Sequence, residues 1–288
     1  CCVCALIKGG ADIGAEDEHA WVALMLACER GNDACARALI NASANVNATG
    51  REGWTALMLA CEQGSDTCTR TLIDASANLD TQNQKGWTAL TVASFKGHDP
   101  CSRALVEAKA NIHMFTKCGS SSLMVACQNG HHSCALTLIA ASADVDAVQR
   151  NEQKWTALMY SCMKGYEQCV RTLVREKANI EASSDNGGTT LMIACHAGHD
   201  RCARTLIEAG VDVNRTWGTW NALCRAALND KITCVRLLLE SGSSFEPSIL
   251  HTTRANDEPV FSKGTVDRCL SLFERATFLR KKNVFKLD

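Results

Sequence analysis

Hydrophobic positions in this chain recur on a long ruler. The segment "GWTALMLACEQG" (53–64) returns as "GWTALTVASFKG" (86–97), "KWTALMYSCMKG" (154–165) and "GTTLMIACHAG" (188–198), with weaker copies "AWVALMLACERG" (20–31) and "GSSSLMVACQNG" (119–130). Its leucine marks the interval. Leu24, Leu57, Leu90, Leu123, Leu158, Leu191 and Leu223 are separated by 33, 33, 33, 35, 33 and 32 residues. Leu6, Leu39, Leu72, Leu105, Leu138, Leu173, Leu206 and Leu238 keep the same spacing. A fixed period of this size predicts a solenoid, in which each unit buries its apolar face only against its neighbours.

Within a unit the polar residues mark where helices begin and end. Thr55, Thr88, Thr156 and Thr189 sit where a hydroxyl can cap a helix N-terminus, and Ser121 and Asn221 are equally suited. A short apolar run follows and stops at Gly31, Gly64, Gly97, Gly130, Gly165 or Gly198. The next stretch, for example "DTCTRTLIDAS" (66–76), sets Cys68, Leu72 and Ile73 on one helical face. Then come "ANVNATGREG" or "ANLDTQNQKG", whose Asn, Asp and Gly content predicts a hairpin-like turn. The predicted fold is all-α, with each unit running helix, turn, helix, protruding turn.

These residues resemble the ankyrin repeat, "G-x-T-P-L-H-x-A-A-x-x-G-H … L-L … G-A-x-x-N". One unit alone matches it at Gly53, Thr55, Leu57, Ala60, Gly64, Leu72, Ala77 and Asn78. On this reading residues 1–13 are a truncated half repeat and 14–242 hold seven ankyrin repeats. Residues 243–262, with two of the three prolines, are expected to be a linker. Residues 263–288 predict a helix, with Val266, Cys269, Leu270 and Phe273 on one stripe and Arg280, Lys281 and Lys282 at its end. It is read either as a cap on the last repeat or as the start of another region. The departures from the family are consistent. Its Pro is Ala at 23, 56, 89, 157 and 222, and its His is Met or Leu in most units. The Thr–His bonding that the resemblance implies is therefore missing, and unusual thermal stability is not expected.

Composition narrows the partners. Apolar residues are 46% and charged residues 21%, and the net charge is −1, so no overall basic field marks nucleic acid or a membrane surface. No apolar run approaches the roughly 20 residues of a membrane-spanning helix, and no signal peptide is visible. The chain starts at Cys1 rather than Met, so a fragment is expected. Its eighteen cysteines follow the repeat, and Ser94 and Ala227 replace Cys at one of the repeated positions. That site asks for a small side chain, not a sulfur ligand. Equivalent positions on stacked helices lie about 8–10 Å apart, beyond the roughly 4.4–6.8 Å of a disulfide. The cysteines are read as reduced packing residues, which places the protein in the cytoplasm, with the nucleus also open.

No catalytic or metal-binding constellation emerges. Cys61 and Cys68 have six residues between them, more than the two to four typical of a structural zinc site. His98, His131 and His199 repeat after the glycine stop, where the resemblance implies a structural role. No phosphate loop or nucleophile elbow stands out, and neither enzyme activity nor a cofactor is expected. Binding has better candidates. Trp54, Trp87 and Trp155, with Trp21 and Trp220, precede the capping residue. The indoles either cover the neighbouring turn or anchor a partner, and both can hold at once. The resemblance places them on a concave face together with the variable residues Phe95, Lys96, Met163 and Lys164. The turn 147–154 carries a two-residue insertion, with Arg150 and Glu152 at its tip. The expected function is a monomeric protein–protein interaction scaffold or adaptor that binds a protein partner on the concave face and turn tips. It binds neither nucleic acid nor membrane and has no catalysis. The alternative is the targeting module of a larger enzyme, such as an ankyrin-linked kinase, whose catalytic domain lies outside these residues.

Overall fold

A computed structural model describes residues 2–18, 20–218 and 220–244, together with positions 267, 271 and 274. Among the described residues there are fifteen α-helices and one 3-10 turn at Arg51–Gly53, and no extended strand. Two compact units result, Cys1–Asn151 and Glu152–Asp288.

The first unit opens with α1 (Cys2–Lys8). Four helix pairs follow: α2 (Ala23–Glu29) and α3 (Asp33–Asn41), α4 (Ala56–Gln63) and α5 (Asp66–Asp74), α6 (Ala89–Lys96) and α7 (Asp99–Glu107), α8 (Ser122–Gln128) and α9 (His132–Ala140). First helices stack on first helices, in the order α2, α4, α6, α8, and second helices on second helices, from α1 and α3 through to α9. The second unit repeats the scheme with α10 (Ala157–Lys164) and α11 (Glu167–Arg175), α12 (Thr190–Ala197) and α13 (Asp200–Glu208), α14 (Ala222–Leu228) and α15 (Ile232–Glu240).

The two helices of a pair bury different amounts of themselves. In α4 every residue from Ala56 to Cys61 is buried, because the helix has a neighbour on either side and its own second helix behind. In α5 only Cys68, Thr69 and Leu72 are buried, and the other face meets water. The ruler leucines are the core: Leu57, Leu72, Leu90, Leu105 and Leu123 are all at most 2% exposed. Each contributes about 1.5–3 kcal/mol on burial.

The termini are built as their residues dictate. Thr55, Thr88, Ser121, Thr156, Thr189 and Asn221 each accept a hydrogen bond from the backbone N–H three residues on. Val22 has no oxygen to offer, and α2 starts without a side-chain cap. Gly64, Gly97, Gly165 and Gly198 close their helices in the left-handed region, with φ from 73° to 85°. A second reason for glycine lies in the next pair. A Cβ on Gly64, Gly97 or Gly165 would overlap the imidazole of His98, His131 or His199. Those rings bond backward to Glu62 O at 3.2 Å, Phe95 O at 2.9 Å and Met163 O at 3.2 Å. Each histidine thus satisfies a carbonyl that the preceding helix end leaves open.

Turns are also linked to turns. Asn45, Asn78, Asn111, Asp144, Asn179 and Asp212 each close an Asx turn on the residue two positions on. Asn47 and Asp80 accept the backbone N–H of Asn78 and Asn111 in the next pair, at 2.7 and 2.8 Å. On the second helices, Thr71 and Thr137 donate to Asp33 and Asp99 of the preceding pair. Ser243 is buried and Ser244 N bonds Asn214 Oδ1, so these first residues of the expected linker still pack on the last pair. Asp267, Ser271 and Glu274 are helical and exposed. The rest of the expected linker and of the expected C-terminal helix lies outside the described residues.

Fifteen cysteines are described; twelve are buried and no disulfide joins them. They pack as small apolar groups with local polar contacts. The Thr69 hydroxyl donates to Cys101 Sγ at 3.5 Å and lies 3.8 Å from Cys61 Sγ. Burial pushes the Cys134 thiol up to about 11 and Cys202 to about 12, and holds Cys162 well above the ordinary thiol range.

Two outcomes follow from this packing. Gly97→Ala and Gly210→Ala both place a Cβ at positive φ (79° and 88°), but at Gly210 no atom lies within 4 Å. Left-handed strain alone costs about 1–2 kcal/mol, so Gly97→Ala should lower the urea midpoint more than Gly210→Ala. Adding His131→Ala should recover part of the extra loss. Mass mapping of alkylated thiols should find exposed Cys4 and Cys118 first. Cys134, Cys162 and Cys202 should react only in denaturant, even at pH 9, since burial raises all three thiols above the ordinary range and keeps reagent away. Rapid native labelling of these three would overturn the packing account.

Candidate functional site

The tryptophans stand one residue ahead of the helix caps, where turn meets first helix. Trp21, Trp54, Trp87, Trp155 and Trp220 are all half-buried. In the first unit Trp87 meets Phe95 edge to face, with ring centroids 4.9 Å apart. Phe95 is 38% exposed. Lys96 Nζ lies 5.9 Å from the Phe95 centroid and 3.0 Å from Glu62 Oε1. Trp87, Phe95 and Lys96 are therefore one cluster on α6 and the residue before its cap. Trp54 holds the same register one pair earlier.

Arg150 reaches back over the Phe115 ring, its guanidinium 3.8 Å from the centroid. Its backbone N–H bonds Gly119 O at 2.9 Å. Beside it Gln149 is 6% exposed and donates to Cys118 O and Ser120 Oγ. This part of the long turn is pinned to its neighbour, and the exposed part is Asn151 to Lys154, including Glu152. In the second unit Lys154 Nζ lies 2.9 Å from Asp185 Oδ1.

The second unit also holds a cleft of about 380 Å³. Trp155 and Met163 come from α10 and the residue before its cap, Met192, Ile193 and His196 from α12, and Arg225 from α14. Ser184, Asn186, Gly188 and Trp217 complete it from the turns. Met192 and Ile193 are buried, while Trp217 is 44% exposed. Trp217 takes its place because Gly187, at φ 69°, has no Cβ to obstruct the indole. Trp217 and Trp220 close a tight turn through two backbone hydrogen bonds, with Gly218 between them at φ 58°. Lys164 is exposed at the end of α10.

The cleft is cationic. The Arg225 guanidinium lies 5.7 Å from the Trp217 ring and 5.9 Å from the Trp220 ring. Partial burial, with the charges of Arg225 and Lys231, lowers the pKa of His196 below its ordinary value. The Asn229 amide donates to His196 Nδ1 at 3.0 Å, so Nε2 carries the proton of the neutral ring.

Of the expected residues, Trp87, Phe95 and Lys96 come together in the first unit, and Trp155 and Met163 line the cleft of the second. Trp217, Arg225, His196, Met192 and Ile193 are additions. Trp217 stands outside the tryptophan register, and Arg225 interrupts an apolar register, so both carried a signal as breaks in the repeat. Among the described residues no group of three His, Cys, Asp or Glu side chains is placed to hold a metal ion. No described helix is long and apolar enough to cross a membrane.

The family model described as ankyrin repeats (3 copies) matches residues 1–83, 24–116, 68–149, 110–184, 145–216 and 173–249. The chain belongs to the ankyrin-repeat family. The crystal structure of the human ASB11 ankyrin repeat domain is similar at 23% identity and a TM-score of 0.65, over 75% of this chain and 96% of that one. The ankyrin repeat domain of Bcl-3, a unique member of the IkappaB protein family, is similar at 30% identity and a TM-score of 0.61, over 71% of this chain and 90% of that one. No curated protein sequence matches the chain.

Proposed function

We propose that this ankyrin-repeat chain is a monomeric, non-catalytic adaptor that binds a protein partner along its first-helix face and turn tips. Ankyrin repeats are in general protein–protein interaction modules. The observation that carries the reading is the division of labour along the repeat. The capping residues are committed to starting their own helices, and the glycines and histidines to holding one pair on the next. The variable register before each glycine presents Phe95 with Lys96 and Met163 with Lys164 beside half-buried tryptophans. Such side chains on a preorganised frame lose little ordering entropy on binding, and aromatic anchors carry much of the energy at protein interfaces. The protein works in the cytoplasm, where its thiols stay reduced.

Binding of a retained protein should fall sharply for Phe95→Ala and Met163→Ala, each by about 2 kcal/mol or roughly 30-fold if these are hot spots. Loss of the Trp87 contact limits the stability cost of Phe95→Ala to about 1.5 kcal/mol. Leu105→Ala is the fold control, with an expected destabilisation of about 2–5 kcal/mol from a core cavity. If both surface substitutions leave binding intact while shortening the 147–154 turn abolishes it, the first-helix face is not the binding surface.

A further inference from the structure

Two residues after the ruler leucine, the first helices carry Leu26, Leu59, Val92, Val125, Tyr160 and Ile193 in turn. All but Leu26 are buried. The seventh copy of this position is Arg225. A guanidinium has therefore been set where the frame elsewhere uses an apolar side chain. It is half-buried between two indoles in the cleft of the second unit. Other arginines of that unit either pair with carboxylates, as Arg171 does with Glu167 at 3.0 Å and Arg215 with Glu181 at 2.9 Å, or are exposed to solvent, as Arg204 and Arg236 are. Among the described residues Arg225 has none within ion-pair distance.

A partly desolvated charge without a counter-ion is costly to keep, and contact with indole faces offsets only part of that cost. The planar fork of arginine suits a carboxylate, which it holds through two parallel hydrogen bonds. His196 Nε2–H supplies a further donor at the same cleft, since Nδ1 is engaged by Asn229. Trp155, Met163, Met192 and Ile193 give the cleft an apolar wall, and Ser184 and Asn186 add polar groups from the turn. A volume of about 380 Å³ falls at the lower end of ligand-sized sites, about 300–1,000 Å³.

We propose that this cleft recognises a short acidic segment of the protein partner, in which a large apolar side chain lies within two residues of an Asp or Glu. The apolar side chain fills the space against Trp155 and Met163, and the carboxylate pairs with Arg225. This deepens the adaptor reading and rests on it.

The test is selection from a random ten-residue peptide display library against the full chain, followed by anisotropy titration of a labelled winning peptide. Selected peptides should share an acidic residue next to Leu, Phe, Trp or Met. Arg225→Leu restores the residue type that other repeats use, so its melting temperature should not fall. Its affinity for the peptide should drop at least tenfold. Arg225→Lys should recover only part of that loss, because an ammonium lacks the planar fork. Changing the peptide's carboxylate to its amide should cost the same factor against the unsubstituted chain and almost nothing against Arg225→Leu. Peptides without an acidic residue, or a carboxylate effect that survives Arg225→Leu, would overturn the proposal. Peptides lost with Phe95→Ala but indifferent to Arg225→Leu would keep the adaptor reading and remove this one. A library that yields no binder would remove both.

Discussion

The structure depends on contact between neighbours, because none of the fifteen described helices can stand alone. They are seven to nine residues long, well short of the roughly 12–15 at which an isolated helix becomes even marginal in water. A pair buries one face of each helix and leaves the others open until the next pair arrives. This is why α4 is buried along its whole apolar run while α5 is buried on one stripe. It also explains why the links between pairs fall at backbone groups the helices cannot satisfy internally. The histidine rings take helix-end carbonyls, and turn carboxylates and amides take N–H groups of the next turn.

That dependence makes glycine at the helix stop doubly constrained. Its positive φ alone would admit an asparagine at modest cost. The imidazole of the following pair removes that option at Gly64, Gly97 and Gly165, since any Cβ would occupy the ring's space. Where the following residue is Lys231, a Cβ on Gly198 would meet its aliphatic stem instead. A flexible stem can yield where an aromatic ring pinned by a hydrogen bond cannot. The same glycine is thus under a harder constraint in some pairs than in others, although φ is nearly the same in all.

The repeat was legible in the sequence because its signals are local. A Thr, Ser or Asn cap, an apolar run and a glycine stop are each read from a few consecutive residues, and all six side-chain caps expected are made. Less legible was what a residue does for the next pair. Asn83, Thr116, Gln149 and Ser184 occupy one register ahead of the caps and are all buried at 5–7% exposure. Read alone, each is an ordinary turn residue; only the stacked neighbour shows why it is covered. The long turn shows the same limit. Arg150 was expected at its tip, yet Gln149 and Arg150 are held down by Ser120, Gly119 and Phe115. The cleft was half legible: Trp155 and Met163 stood out by type, whereas Arg225 and Trp217 stand out only against the register they break.

A repeated frame also changes what counts as a functional signal. In a chain of unrelated elements a lone arginine on a helix says little, since most are solvated. Here six other copies of the position state what the frame needs, which is an aliphatic or aromatic side chain. A charged residue at that position gives up apolar burial worth about 1.5–3 kcal/mol in the free protein. The indoles of Trp217 and Trp220 return part of that energy through contact with the guanidinium. They do not supply the hydrogen-bond acceptors that five N–H groups require. The remaining demand is for acceptors from outside the repeat, and that is how a residue unfavourable to the frame becomes specific for a ligand.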